Sequence, residues 1–128
     1  MTEELLKKRT KTFAHRCVKL ALSISTATLG NHLAKQLIRC STSVAANYRS
    51  ACLAQSKASF IAKISIVLEE ADEAAFWLEF IKDEKLIKDE RGYKLFSGLN
   101  ILDSRLRGSD SDEGFVIPAE AGIQFFIL

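Results

Sequence analysis

Across the first ninety residues only one residue is a strong helix breaker. The single proline is Pro118, and of the six glycines only Gly30 lies in this stretch. Proline removes a backbone donor and glycine raises the entropic cost of helix, so a stretch this poor in both is free to form long helices. The apolar residues then decide where the helices face. From about Glu3 to Ser25 they recur at Leu6, Phe13, Cys17, Leu20 and Ile24, in steps of seven, four, three and four. At roughly 100° per residue these positions fall within about 60° of arc, one core stripe on an amphipathic helix. Lys8, Lys11, His15 and Lys19 fall on the other side. Val18 and Leu22 lie there too, which marks a second, weaker contact surface.

The spacing predicts a loop over Thr26 to Asn31, with Gly30 as a stop and Asn31 as a cap. A second helix follows to about Ala54, with the stripe Leu33, Leu37, Cys40, Ser41, Val44, Tyr48 and Ala51. Ser41, Ala45 and Ala51 are small enough to let a neighbouring helix approach closely. Ser56 is a suitable N-cap for a third helix reaching Ile81 or beyond. Its stripe is Phe60, Ile64, Val67, Leu68, Ala71, Ala74, Ala75 and Leu78. The opposite side of that helix is unusual. It mixes Glu69, Glu70, Asp72 and Glu73 with Ile66, Phe76, Trp77 and Phe80, and a solvated face rarely carries two phenylalanines, an isoleucine and the only tryptophan. Either the last helix or another subunit is expected to cover them.

After a charged connector, Lys82 to Arg91, the steps Leu95, Leu99, Leu102 and Leu106 predict a fourth helix that is short and stops at Arg107-Gly108. The run Ser109-Asp110-Ser111-Asp112-Glu113-Gly114 is turn-like and acidic, and Phe115-Val116-Ile117-Pro118 has no helical period. The expected architecture is all-α: an up-down antiparallel four-helix bundle over 1–107, with a truncated fourth helix and an irregular tail over 108–128.

Charge divides the chain in two. Residues 1–57 hold ten bases against two acids, a net +8; residues 58–128 hold eight bases against fourteen acids, a net −6. Such asymmetry suits either an anionic partner or an assembly in which acidic helices of one copy meet basic helices of another. The basic rows of the first two helices, Lys8, Lys11, Arg16, Lys19, Lys35, Arg39 and Arg49, are the candidate contacts for RNA, single-stranded DNA or an acidic protein. Binding there would be directed at the phosphate backbone and sensitive to salt. Ile66, Phe76, Trp77 and Phe80 are the candidate oligomer contacts.

Little in the sequence suggests catalysis. Neither His15 nor His32 follows a glutamate at the Glu-x-x-His interval of di-iron bundles, and no HExxH, GxSxG or glycine-rich phosphate loop occurs. Glu69 and Glu73 stand one turn apart and could hold a cation or act as acid and base, but a solvated or salt-bridged helix face is the simpler reading. Cys17, Cys40 and Cys52 form no CxxC pair; Cys40 and Cys52 would sit roughly 18 Å apart on one helix, too far to bridge. They read as free thiols. No catalytic, metal or cofactor site is expected. With no run of about 18 apolar residues and no basic-then-apolar leader, the chain is expected to be cytoplasmic and away from membranes.

Three segments carry a resemblance. They are Gln36-Leu37-Ile38-Arg39-Cys40-Ser41-Thr42-Ser43-Val44-Ala45-Ala46-Asn47-Tyr48-Arg49, then Phe60-Ile61-Ala62-Lys63, then Leu68-Glu69-Glu70-Ala71-Asp72-Glu73 with Trp77-Leu78-Glu79. In order and spacing they resemble the four-helix-bundle family of proteins encoded in 23S ribosomal RNA intervening sequences, over about residues 5 to 100. Ser41 and Ala45 stand where relatives often have glycine. The resemblance implies an up-down bundle and a ring-like homopentamer. It also extends to the accessory protein of diversity-generating retroelements, a basic pentamer that engages nucleic acid. Separately, Asp103-Ser104-Arg105-Leu106-Arg107-Gly108 with Phe115-Val116-Ile117-Pro118-Ala119-Glu120-Ala121-Gly122-Ile123-Gln124 resembles a translated interspersed repeat of bacterial genomes. Such an element is expected to have replaced the end of the fourth helix. At about 1.5 to 3 kcal/mol per buried aliphatic side chain, the loss is large beside a domain's net stability.

Overall fold

The structure, a computed structural model, describes residues 2–97 together with the backbone of residues 115–116 and 126–127. Among the described residues, four helices make up the fold. Helix α1 runs Glu3–Ile24, α2 Thr28–Cys52 and α3 Lys57–Asp83, and residues 90–97 form α4 as far as it is described. Three of these four starts have a side-chain cap. Thr2 caps α1, its Oγ1 accepting from Leu5 N at 3.2 Å. Ser56 caps α3 as the sequence predicted, accepting from Ser59 N at 3.1 Å. Asp89 Oδ1 accepts from Gly92 N at 2.6 Å and so starts α4 two residues inside the expected connector.

The first loop is shorter than the sequence suggested. Helix α2 begins at Thr28, so Gly30 and Asn31 lie in its first turn and the N-cap is Ala27. Gly30 does not end a helix; it makes room for one. A Cβ built on it would lie 2.1 Å from the Ile24 carbonyl oxygen, so the end of α1 can rest on the start of α2 only where no side chain intervenes.

Short connections make α1, α2 and α3 successive antiparallel neighbours, with α2 in the middle. Gly92, near the start of α4, lies beside Ser23 near the end of α1, returning the chain to the first helix. All the stripe residues expected of α1 and α2 are buried, including Leu20, Leu37 and Cys40 at 0% exposure. Ile64, Val67, Ala74, Ala75 and Leu78 of α3 join them, with Phe60, Leu68 and Ala71 partly buried at the margin. Ile81, Ile87 and Phe96 extend the core beyond the predicted stripes. Ile81 and Ile87 flank a connector dense in charge. Lys85, at φ 56°, turns the chain there after α3 ends.

Leu95 is partly buried against the core. Leu99, Leu102, Leu106 and the expected stop at Arg107-Gly108 lie outside the described residues. Within the tail, Phe115–Val116 pairs antiparallel with Phe126–Ile127, Phe115 opposite Ile127. Periodicity had marked no ladder there. At two residues per strand it leaves the molecule all-α.

Candidate interaction surfaces

Two surfaces carry the candidate residues, and the packing of α2 against α3 defines the first. With the α3 core stripe turned inward, Ile66, Glu69, Glu73, Phe76 and Phe80 are left in steps of three and four on the outer side, with Trp77 at their edge. Phe76 is 51% exposed, and Ile66 and Phe80 are 37% each. The rings touch one another. Phe76 meets Trp77 edge-on with centroids 5.0 Å apart, and Phe80 lies 6.0 Å from Phe76 and 6.3 Å from Trp77. Such offset contacts hold aromatic rings in place beyond what burial alone does.

Trp77 is further fixed by polar contacts that cross from α3 to α2. Its Nε1 donates to Glu73 Oε1 at 3.2 Å, and the same oxygen is paired with the Arg39 guanidinium of α2. Arg39 also reaches Glu70 at 3.2 Å and donates through Nε to Gln36 Oε1 at 3.3 Å. His32, one turn into α2, meets Trp77 edge-on at 6.0 Å. A forked guanidinium suits two carboxylates one helical turn apart, which a lysine could not engage in the same way.

This arrangement separates Arg39 from the other candidate bases. It is committed to the carboxylates of the α2/α3 seam although it is itself half exposed, whereas Lys8, Lys11, Arg16, Lys19, Lys35 and Arg49 are exposed away from that seam. On α1 the lysines form one outer row with His15. Leu22, 66% exposed, and the partly buried Val18 lie beside them. Lys35 and Arg49 stand on α2, more than three turns apart, so the structure does not gather the bases into one cluster. Glu73 is engaged by Arg39 and Trp77 while Glu69 is exposed, an arrangement that suits a solvated or salt-bridged helix face better than a cation site.

The thiols are free, with Cys17 and Cys40 buried. Burial pushes Cys40 up to about 12, helped by the negative charge of Glu73, and burial likewise pushes Cys17 and Cys52 up. They are therefore thiols rather than thiolates at neutral pH, poor as nucleophiles and metal ligands. Sequence reasoning missed an open groove at the far end of the bundle. It holds about 490 Å³ and is lined by Glu3, Tyr48, Cys52, Lys57 and Phe60 among others. Its residues come from three helix ends, so no single periodicity marks them. Among the described residues no group of three or more His, Cys, Asp or Glu could hold a metal ion, and no helix is long and apolar enough to cross a membrane.

The 23S rRNA-intervening sequence protein family matches residues 4–108, and the chain belongs to that family. The chain is also similar to a crystal structure solved at 1.70 Å, a protein of unknown function from the S23 ribosomal protein family of Bacteroides thetaiotaomicron VPI-5482. The two share 32% identity over 81% of this chain and 93% of that one, with a TM-score of 0.67. No curated protein matches.

Proposed function

We propose that this member of the 23S rRNA-intervening sequence protein family works by association rather than catalysis, as a cytoplasmic, non-enzymatic bundle that assembles with copies of itself. The observation that carries this reading is the outer face of α3. Phe76, Phe80 and Ile66 are exposed beside a Trp77 already immobilised by Glu73, Arg39 and His32. Large apolar residues held rigid before binding lose little entropy on docking and are the usual anchors of interfaces. A five-membered ring is the assembly that the family resemblance implies. The test is the mass in solution of Phe76→Ser/Phe80→Ser beside the unaltered protein. Loss of the oligomer with helicity retained supports the reading, and an unchanged mass rejects it.

A second reading is favoured by six exposed bases outside the Arg39 seam: Lys8, Lys11, Arg16 and Lys19 on α1, with Lys35 and Arg49 on α2. Repeated around an oligomer, these rows would make a strong positive field able to hold RNA or single-stranded DNA by its phosphates. Retention on RNA at low salt that disappears in a Lys35→Glu/Arg49→Glu variant supports it; retention unchanged by that variant rejects it.

A further inference from the structure

We infer that the surface receiving the α3 stripe is the outer row of α1 on a neighbouring copy of this chain. The inference rests on the self-association reading and supplies its other half. The α1 row carries Lys8, Lys11, His15 and Lys19, with Leu22 exposed at 66% among them. The α3 face carries Glu69, Asp72 and Glu79, all exposed, around Phe76 and Phe80. If α3 docked on α3 of a second copy, these carboxylates would face one another, and like charges brought together in an interface are strongly unfavourable. If it docks on α1, lysines meet carboxylates.

The heights also match. Alternate helices of an up-down bundle run the same way, so α1 and α3 end at the same end of the molecule. Leu22 lies in the last turn of α1 and Phe80 in the last turn of α3, with Phe76 one turn earlier. Lys11 and Glu69 each lie roughly four turns back from those ends. Bundles standing side by side and parallel can therefore set Leu22 against the aromatic rings and Lys11 against Glu69 at once. Because α2 separates α1 from α3, one copy offers both faces together, and the contact repeats from copy to copy instead of closing at two.

Charge exchange and cross-linking test this directly. Lys11→Glu and Glu69→Lys should each weaken association roughly tenfold in low salt, and the double variant should recover most of the loss. In a mildly oxidised Leu22→Cys/Phe76→Cys protein, covalent species larger than dimers should appear, while Phe76→Cys alone should stay uncross-linked. Charge variants without effect, a double variant no better than the singles, or covalent dimers from Phe76→Cys alone would each overturn the inference. Phe76→Ser/Phe80→Ser separates the two levels. If its mass is unchanged, the self-association reading itself has failed. If it dissociates while the charge exchange does not rescue, only the assignment of α1 has failed.

Discussion

Helices α1 and α3 both bury a continuous stripe against their neighbours, but they treat the outside differently. On α1 the outer face is lysine and histidine with one well-exposed leucine, a surface that water covers at little cost. On α3 the outer face holds three aromatic rings in mutual contact, and Arg39 of α2, through Glu73, fixes one of them. A helix with large apolar residues on both sides leaves some of them against water unless a partner covers them. The contrast separates what folds the chain from what the folded chain offers to others.

The sharpest way to break this contrast is to truncate one residue from each side. Leu37→Ala, at a fully buried site, should cost about 2 to 5 kcal/mol in urea unfolding. Phe76→Ala, which removes half-exposed ring contacts with Trp77 and Phe80, should cost the unassembled chain only about 0.5 to 1.5 kcal/mol. Equal losses would mean that the α3 outer face is part of the core. A Gly30→Ala variant should lose about 1 to 3 kcal/mol, because its methyl meets the Ile24 backbone oxygen rather than a yielding side chain. It should also change the α1–α2 junction without altering association.

Alkaline pH probes the buried side through its thiols. Burial raises the folded Cys40 thiol from 9.0 to about 12, so the unfolded chain gives up its proton first as pH rises. The stabilising effect is complete below about 9 and is lost as pH climbs toward 12. Cys17, Tyr48 and Cys52 are raised by burial as well, so Cys40→Ala should make the decline in urea midpoints across this range shallower without abolishing it, and an unchanged slope would contradict the assignment.

Arg39→Met addresses the seam between the two kinds of surface. Arg39 is 48% exposed, and Glu70 and Glu73 are 20% and 35%, so solvent screens the pairs and the expected loss is only about 0.5 to 1 kcal/mol. The informative readout is the tryptophan. Emission from the single indole should shift as Glu73 loses its partner, whereas Lys35→Glu should leave it unmoved.

Much of this was legible beforehand for a physical reason. Burial in a helix repeats every three or four residues, so the stripes from Leu6 to Ile24 and from Leu33 to Ala51 announce themselves, and Phe76, Trp77 and Phe80 stood out as misfits on a charged side. What could not be read depends on how helices rotate against one another. Arg39 looks like any other base on α2 until α3 brings Glu70 and Glu73 beneath it. Gly30 looks like a stop because its real constraint, the Ile24 carbonyl, comes from the preceding helix. Ile87 was hidden by the charges around it.

The most direct test of the account is sedimentation equilibrium of the unaltered protein over a wide concentration range at low salt. The expected mass is a multiple of the 14.2 kDa chain and greater than a dimer. A species of 14.2 kDa at every concentration would contradict it.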